Sequence, residues 1–160
     1  MSETLATAPE GASRAERWQV LLPQIEALAS AEPDPIARMA NTASVIAMTF
    51  GWLWVGFYRV VGSELVLGPF QGPLACTRIR RGSGVCGTAW DTARTVVVED
   101  VELFPGHIAC SSESRSEIVV PVFDTSGAVT AVIDIDSSSP GEFGPDDACA
   151  LERVAAILAG

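Results

Sequence analysis

Four thiols, Cys76, Cys86, Cys110 and Cys149, and a single imidazole, His107, make up the chain's nucleophiles and soft ligands. No two cysteines have C-x2-C spacing, so a closed tetrahedral zinc site has no evident ligand set. The thiols therefore read as candidates for reactive or redox chemistry. Cys110 falls in the irregular stretch 99–115, beside Pro105, Gly106 and His107. Cys86 follows Gly82-Ser83-Gly84 in the first turn of a short helix, where the helix terminus favours a thiolate. Cys76 falls in a strand pattern. Cys149, between Ala148 and Ala150, reads as a small apolar filler. Residue type and position leave Cys76, Cys86 and Cys110 as equal candidates.

Two further constellations could bind rather than react. In Trp52-Leu-Trp-Val-Gly-Phe-Tyr58, alternation along a strand puts Trp54, Gly56 and Tyr58 on one face. The glycine leaves a gap between aromatic walls suited to a methyl, a thioether or a cation, although ordinary core packing explains the same pattern. In Val132-Ile-Asp-Ile-Asp136, the same alternation puts Asp134 and Asp136 on one face while Ile133 and Ile135 point to the other. A partly enclosed carboxylate pair requires a cation or a proton. A substrate ammonium would meet that requirement, and Glu117, opening the strand Glu-Ile-Val-Val-Pro-Val, offers a third carboxylate. Arg78, Arg80 and Arg81 read as a solvated strand end.

These groups need a frame. Residues 13–30 carry a helical apolar stripe that Pro23 should kink or divide, and a second helix runs from Asp34 or Pro35 to about Thr49, closed by Gly51. Strand patterns follow at 53–61, 64–69, 74–80, 95–98, 116–123 and 128–136, separated by Gly, Ser, Pro and Asp. A short helix is expected at Gly84–Thr92 and a closing amphipathic helix at Pro145–Ala159, with Ala148, Leu151, Val154 and Leu158 inward. About six strands enclosed by terminal helices make an α+β sandwich. A loop as long as 99–115 inside a compact domain usually has a function.

The 160 residues suit one domain, 14–160, behind a flexible N-terminal segment, 1–13. Twenty acidic against ten basic residues give a net charge of −10, which argues against nucleic acid and anionic membrane surfaces as partners. No apolar stretch reaches the ~18 residues needed to span a bilayer, and no export signal is evident. A cytoplasmic protein with reduced thiols is the expectation.

Five motifs in this order resemble those of the free methionine-(R)-sulfoxide reductases: Trp54-Val-Gly-Phe-Tyr58, Leu65-Val-Leu-Gly-Pro-Phe-Gln-Gly72, Gly82-Ser-Gly-Val-Cys-Gly-Thr88, Phe104-Pro-Gly-His-Ile-Ala-Cys110 and Ser114-Arg-Ser-Glu-Ile-Val-Val-Pro121. Ile133-Asp-Ile-Asp-Ser137 completes the likeness, which spans about residues 14–158. The resemblance implies a GAF fold: a six-stranded antiparallel sheet with N-terminal and C-terminal helices on one face and a ligand pocket on the other. It implies that Cys110 attacks the sulfoxide sulfur, that Cys76 resolves the resulting sulfenic acid as a disulfide, and that Cys86 takes part in recycling. It further implies a substrate pocket built from Trp54, Tyr58, Glu117, Asp134 and Asp136, no bound cofactor, thioredoxin as external reductant, and pairing as a homodimer.

A free amino acid carries an ammonium that a residue inside a protein has lost, so a carboxylate pocket selects free substrate through charge. One carboxyl, Glu117 or Asp136, is a candidate to keep its proton and donate it to the departing oxygen. Carboxylates near Cys110 should raise its pKa; the substrate ammonium, His107 or loop amides would relieve this. Two rival readings are a non-catalytic ligand-binding GAF sensor, in which the cysteines are dispensable, and a thiol redox switch, which leaves Trp54 and the acidic face without a purpose.

Overall fold

The computed structural model describes residues 4–108 and 111–159, so the expected nucleophile Cys110 lies outside the described residues. Two helices open the chain, α1 (Arg14–Ala31) and α2 (Pro35–Phe50). The strands are β1 (Trp54–Val61), β2 (Glu64–Gln71), β3 (Arg78–Arg80), β4 (Val96–Val98), β5 (Ser116–Phe123) and β6 (Val129–Ser137). Helix α3 (Gly84–Thr92) lies between β3 and β4, a single 3-10 turn follows β4 at Val101–Leu103, and α4 (Pro145–Leu158) closes the fold. The six strands form one antiparallel sheet in the order β3-β2-β1-β6-β5-β4.

Strand parity divides the interior in two. Val55, Phe57, Ile118, Val120, Ile133 and Ile135 face α1, α2 and α4 and form the larger core with Trp18, Leu21, Ile25, Ile46, Leu151 and Val154. Trp54, Tyr58, Val119 and Val132 face the other way and pack with Val85, Cys86, Ala89 and Trp90 of α3. A sheet covered on both faces carries apolar residues at nearly every position. On the second face, Glu117, Asp134 and Asp136 break that rule.

The caps explain where the helices begin. Ser13 and Glu16 form a reciprocal capping box on α1, and Asp34 accepts from the Ile36 and Ala37 amides ahead of Pro35. Gly51 ends α2 in the left-handed conformation at φ 68°. Against expectation, Pro23 does not divide α1, which is continuous over 18 residues. Buried Trp18 and Leu21 before the proline, and Ile25 and Ala29 after it, fasten both halves to the core. That packing outweighs a missing backbone hydrogen bond and an unfavourable propensity of about 3 kcal/mol.

The expected flexible segment makes defined contacts from residue 5 onward: Leu5 packs against the core, and Ala6 exchanges two hydrogen bonds with Gln24. In α4 the buried residues are Asp147, Ala150, Leu151, Val154 and Ala155, a stripe rotated from the expected one. Cys149 falls on the opposite side and is exposed, so it fills no core space. Asp147 is buried because it accepts from Trp18 Nε1 at 2.9 Å and from the Arg14 guanidinium, which joins α4 to α1.

Candidate active site

The polar face of the sheet is set by register. Trp54 of β1 stands opposite Asp136 of β6, and Asp136 stands opposite Glu117 of β5, so an indole and two carboxyls share one row across three strands. The next row is Gly56, Asp134 and Val119. A pocket partly open to solvent lies over these rows. Its walls include Trp54 and Tyr58 from β1, Ala75 before β3, Ser83 to Cys86 at the start of α3, and His107, Ile108, Ser111 and Ser114 from the long loop.

The expected gap over Gly56 is filled. A Cβ at Gly56 would lie 2.4 Å from Phe70 Cβ and 2.6 Å from the Trp54 ring. Trp54 lies across the glycine and stacks on Phe70 and Tyr58, with centroids 5.2 and 5.9 Å away. The glycine lets the indole lie flat, and the aromatic stack becomes one wall of the pocket. Both rings also hold the loop before β3: Trp54 Nε1 donates to Pro73 O at 3.1 Å, and the Tyr58 hydroxyl donates to Cys76 O at 2.9 Å. Cys76 itself sits in that loop and not in a strand, because β3 pairs with β2 only over Arg78–Arg80. Its sulfur is not a free thiol.

Glu117 and Asp134 are each 6% exposed. Burial, then the charge of Asp136, pushes the Glu117 carboxyl up to about 8. Burial is also the main force raising Asp134 and Asp136 well above the ordinary carboxylate range, followed by repulsion from Glu117 and from Asp134 respectively. Ser114 donates to Asp136 Oδ1 at 2.9 Å, and His107 Nε2 lies 3.5 Å from Glu117 Oε1. Burial lowers the His107 pKa, which weakens its value as a permanent counter-charge. Among the described residues lining the pocket, His107 is nevertheless the only one able to carry positive charge.

Cys86 is in the first turn of α3, as expected, yet its thiol is pushed well up by burial and then by the charge of Asp134. The local anionic field and burial override the helix terminus. Ser83 makes no side-chain cap, which leaves the first α3 amides without an intrahelical partner where Ser83, Gly84 and Val85 line the pocket.

Residues 34–160 match the GAF domain model. The chain is 50% identical to GAF domain-containing protein A of Dictyostelium discoideum over 91% of this chain and 92% of that protein. It is 40% identical to the free methionine-R-sulfoxide reductase of Saccharomyces cerevisiae, covering 91% of this chain and 86% of the yeast protein. The X-ray structure of free methionine-R-sulfoxide reductase from Neisseria meningitidis, in complex with its substrate, superposes with a TM-score of 0.92 at 51% identity, over 97% of this chain and 93% of that one. The chain belongs to the free methionine-R-sulfoxide reductase family of GAF-domain proteins.

Of the residues expected at the site, Trp54, Tyr58, Cys86, Glu117, Asp134 and Asp136 all line one pocket, together with His107. Cys76 stays next to it through Tyr58 and the neighbouring Ala75. The arginines at 78 and 81 pair with Glu64 and Asp91 at exposed positions, as a solvated strand end should. The reading missed Ser114, whose hydroxyl partners Asp136, and the α3 amides. For Ser114 the signal was a hydroxyl residue close before the Glu117 strand, whereas Ser83 reads as an ordinary N-cap and only the structure shows that its side chain does not cap.

Proposed function

We propose that this member of the free methionine-R-sulfoxide reductase family reduces free L-methionine-(R)-sulfoxide to methionine by a thiol mechanism with Cys110 as the nucleophile. The observation that carries the reading is the row Trp54, Asp136, Glu117 with Asp134 beside it: two buried carboxyls and a half-buried third under an aromatic wall, with no lysine or arginine among the described residues that line the pocket. An α-ammonium neutralises such a site, and the thioether end fits the stacked rings. The substrate carboxylate is assigned to the uncapped amides of α3, a ready anion site.

In the reaction, the Cys110 sulfur attacks the sulfoxide sulfur while the oxygen takes a proton. Glu117, raised to about 8, holds one at neutral pH and is the assigned donor, with Asp136 as the other candidate. The oxygen transfers to the Cys110 sulfur as a sulfenic acid, and methionine leaves with its sulfur reduced by two electrons. The Cys76 thiol then attacks the sulfenic sulfur, a disulfide forms and water departs. A dithiol reductant such as thioredoxin reopens the disulfide by exchange. Cys86, whose buried thiol holds its proton, is assigned to recycling and not to attack. A cytoplasmic setting, in which a reductant reopens the disulfide after each turnover, is the assigned location, and among the described residues no helix is long and apolar enough to cross a membrane. A homodimer is the expected assembly.

Cysteine variants test the sequence of steps. Cys110→Ser is expected to give no methionine above background. Cys76→Ser should produce one equivalent of methionine per chain and then stop. Sustained turnover by Cys110→Ser would overturn the assignment of the nucleophile.

A further inference from the structure

The pocket floor contains a set of donors that substrate reduction does not use together. One ligand atom from each of Cys86, Glu117 and Asp134 lies within 4.8 Å of the other two, and all three residues are buried. Asp134 is 6% exposed, and its Oδ1 has no hydrogen-bond partner among the described residues. A buried carboxyl oxygen without a partner is costly, and a cation that takes the place of the carboxyl proton removes the cost. His107 Nε2, 3.5 Å from Glu117 Oε1, lies within reach as a fourth donor. Three of the four groups come from different secondary-structure elements, Cys86 from α3, Glu117 from β5 and Asp134 from β6.

We propose that Cys86, Glu117 and Asp134, joined by His107, bind one thiophilic divalent cation of the zinc class, and that this cation inhibits the enzyme by occupying the place of the substrate ammonium. The chemistry fits a borderline-soft ion: one sulfur, one imidazole nitrogen and two carboxylate oxygens, a set that calcium or magnesium would not select. With Zn–S at about 2.3 Å and Zn–N and Zn–O at about 2.0–2.2 Å, a tetrahedral ion needs its donors about 3.3–3.8 Å apart. The three cluster donors, within 4.8 Å of one another as they stand, draw together to reach that spacing. Binding displaces to solvent the Cys86 proton and those held on the Glu117 and Asp134 carboxyls, leaving thiolate, two carboxylates and neutral imidazole around the ion. No electron is transferred, so the effect reverses with a chelator.

The site of binding stands on the donor geometry alone, whereas the competition with substrate rests on the proposed reaction. The test uses the full-length chain in a Cys149→Ser background, which removes the exposed free thiol. Cadmium is the probe, because its thiolate complex has an ultraviolet charge-transfer band, and zinc is then titrated against it. The expected result is one cadmium per chain, a band lost in Cys86→Ser, and affinity for zinc reduced at least tenfold in Asp134→Asn and in Glu117→Gln. Should Cys86→Ser fail to fold, the two carboxamide variants still decide the matter. A band that survives loss of Cys86, or zinc affinity indifferent to both carboxamide variants, overturns the site. Free methionine-(R)-sulfoxide should weaken the apparent zinc affinity in proportion to its concentration, and additive binding of the two would overturn the competition. Turnover measured in chelator-treated protein reads the proposed reaction separately.

Discussion

Glu117 and Asp136 occupy directly opposed positions on β5 and β6, both beneath the pocket and both pushed up in pKa. Like charges facing each other across a sheet repel, and here burial adds to the repulsion. The ligand-free protein answers by holding a proton more tightly on each of these carboxyls. That one relationship governs how the pocket responds to substrate and to pH.

An ammonium placed among Glu117, Asp134 and Asp136 lowers their pKa values, so binding should expel protons. Calorimetric titration with free methionine at pH 7, repeated in buffers of different ionisation enthalpy, is expected to show net proton release. Proton uptake would contradict the charge arrangement. In Glu117→Gln the number released should fall.

Stability should depend on pH in the same sense. Glu117 rises from an ordinary 4.5 to about 8 in the fold, so the folded state binds more protons than the unfolded state between those values. Stability is then greatest below about 4.5 with respect to this group and falls as pH rises towards 8, by up to about 1.4 kcal/mol per pH unit for one proton. Asp134 and Asp136 act in the same direction. Urea midpoints measured across this range should show the decline, and Glu117→Gln should flatten it and be the more stable protein near pH 8.

Gly56→Ala inserts a methyl where Phe70 Cβ would be 2.4 Å away. Both neighbours are held, Phe70 by its strand and Trp54 by its bond to Pro73. Overpacking of this kind costs about 1–3 kcal/mol. Denaturant unfolding should report that loss, and substrate affinity should fall with it as the aromatic wall shifts.

Tyr58→Phe keeps the ring stack and removes the hydroxyl that donates to Cys76 O. The expected cost in stability is about 0.5–1.5 kcal/mol. Because the loop carrying Cys76 loses a tether, disulfide formation should slow while the first methionine is still released at the normal rate. Rapid-quench measurement of methionine against thiol content separates the two steps.

Strand parity was the most legible part of the sequence. Alternation in Ile133-Asp-Ile-Asp136 and around Trp54 and Tyr58 assigned every one of these side chains to its observed face, because a period of two leaves no freedom once one face is buried. Harder to read were features set by contacts distant in sequence. Gly56 reads as a gap until Phe70 is known to lie above it. Pro23 reads as a break until the core packing on both sides is seen. Asp147 owes its burial to Trp18 and Arg14, partners more than a hundred residues away in the sequence. The pattern at 74–80 reads as a strand, but only Arg78–Arg80 find a partner edge.

The central claim is that the pocket recognises an unblocked amino acid by its charge. The most direct measurement follows NADPH oxidation with thioredoxin and thioredoxin reductase, offering free methionine-(R)-sulfoxide, its (S)-epimer and an N-acetylated (R)-sulfoxide in turn. Turnover with the first alone is the result expected from three pocket carboxyls awaiting an ammonium. Equal rates with the N-acetylated compound would contradict it.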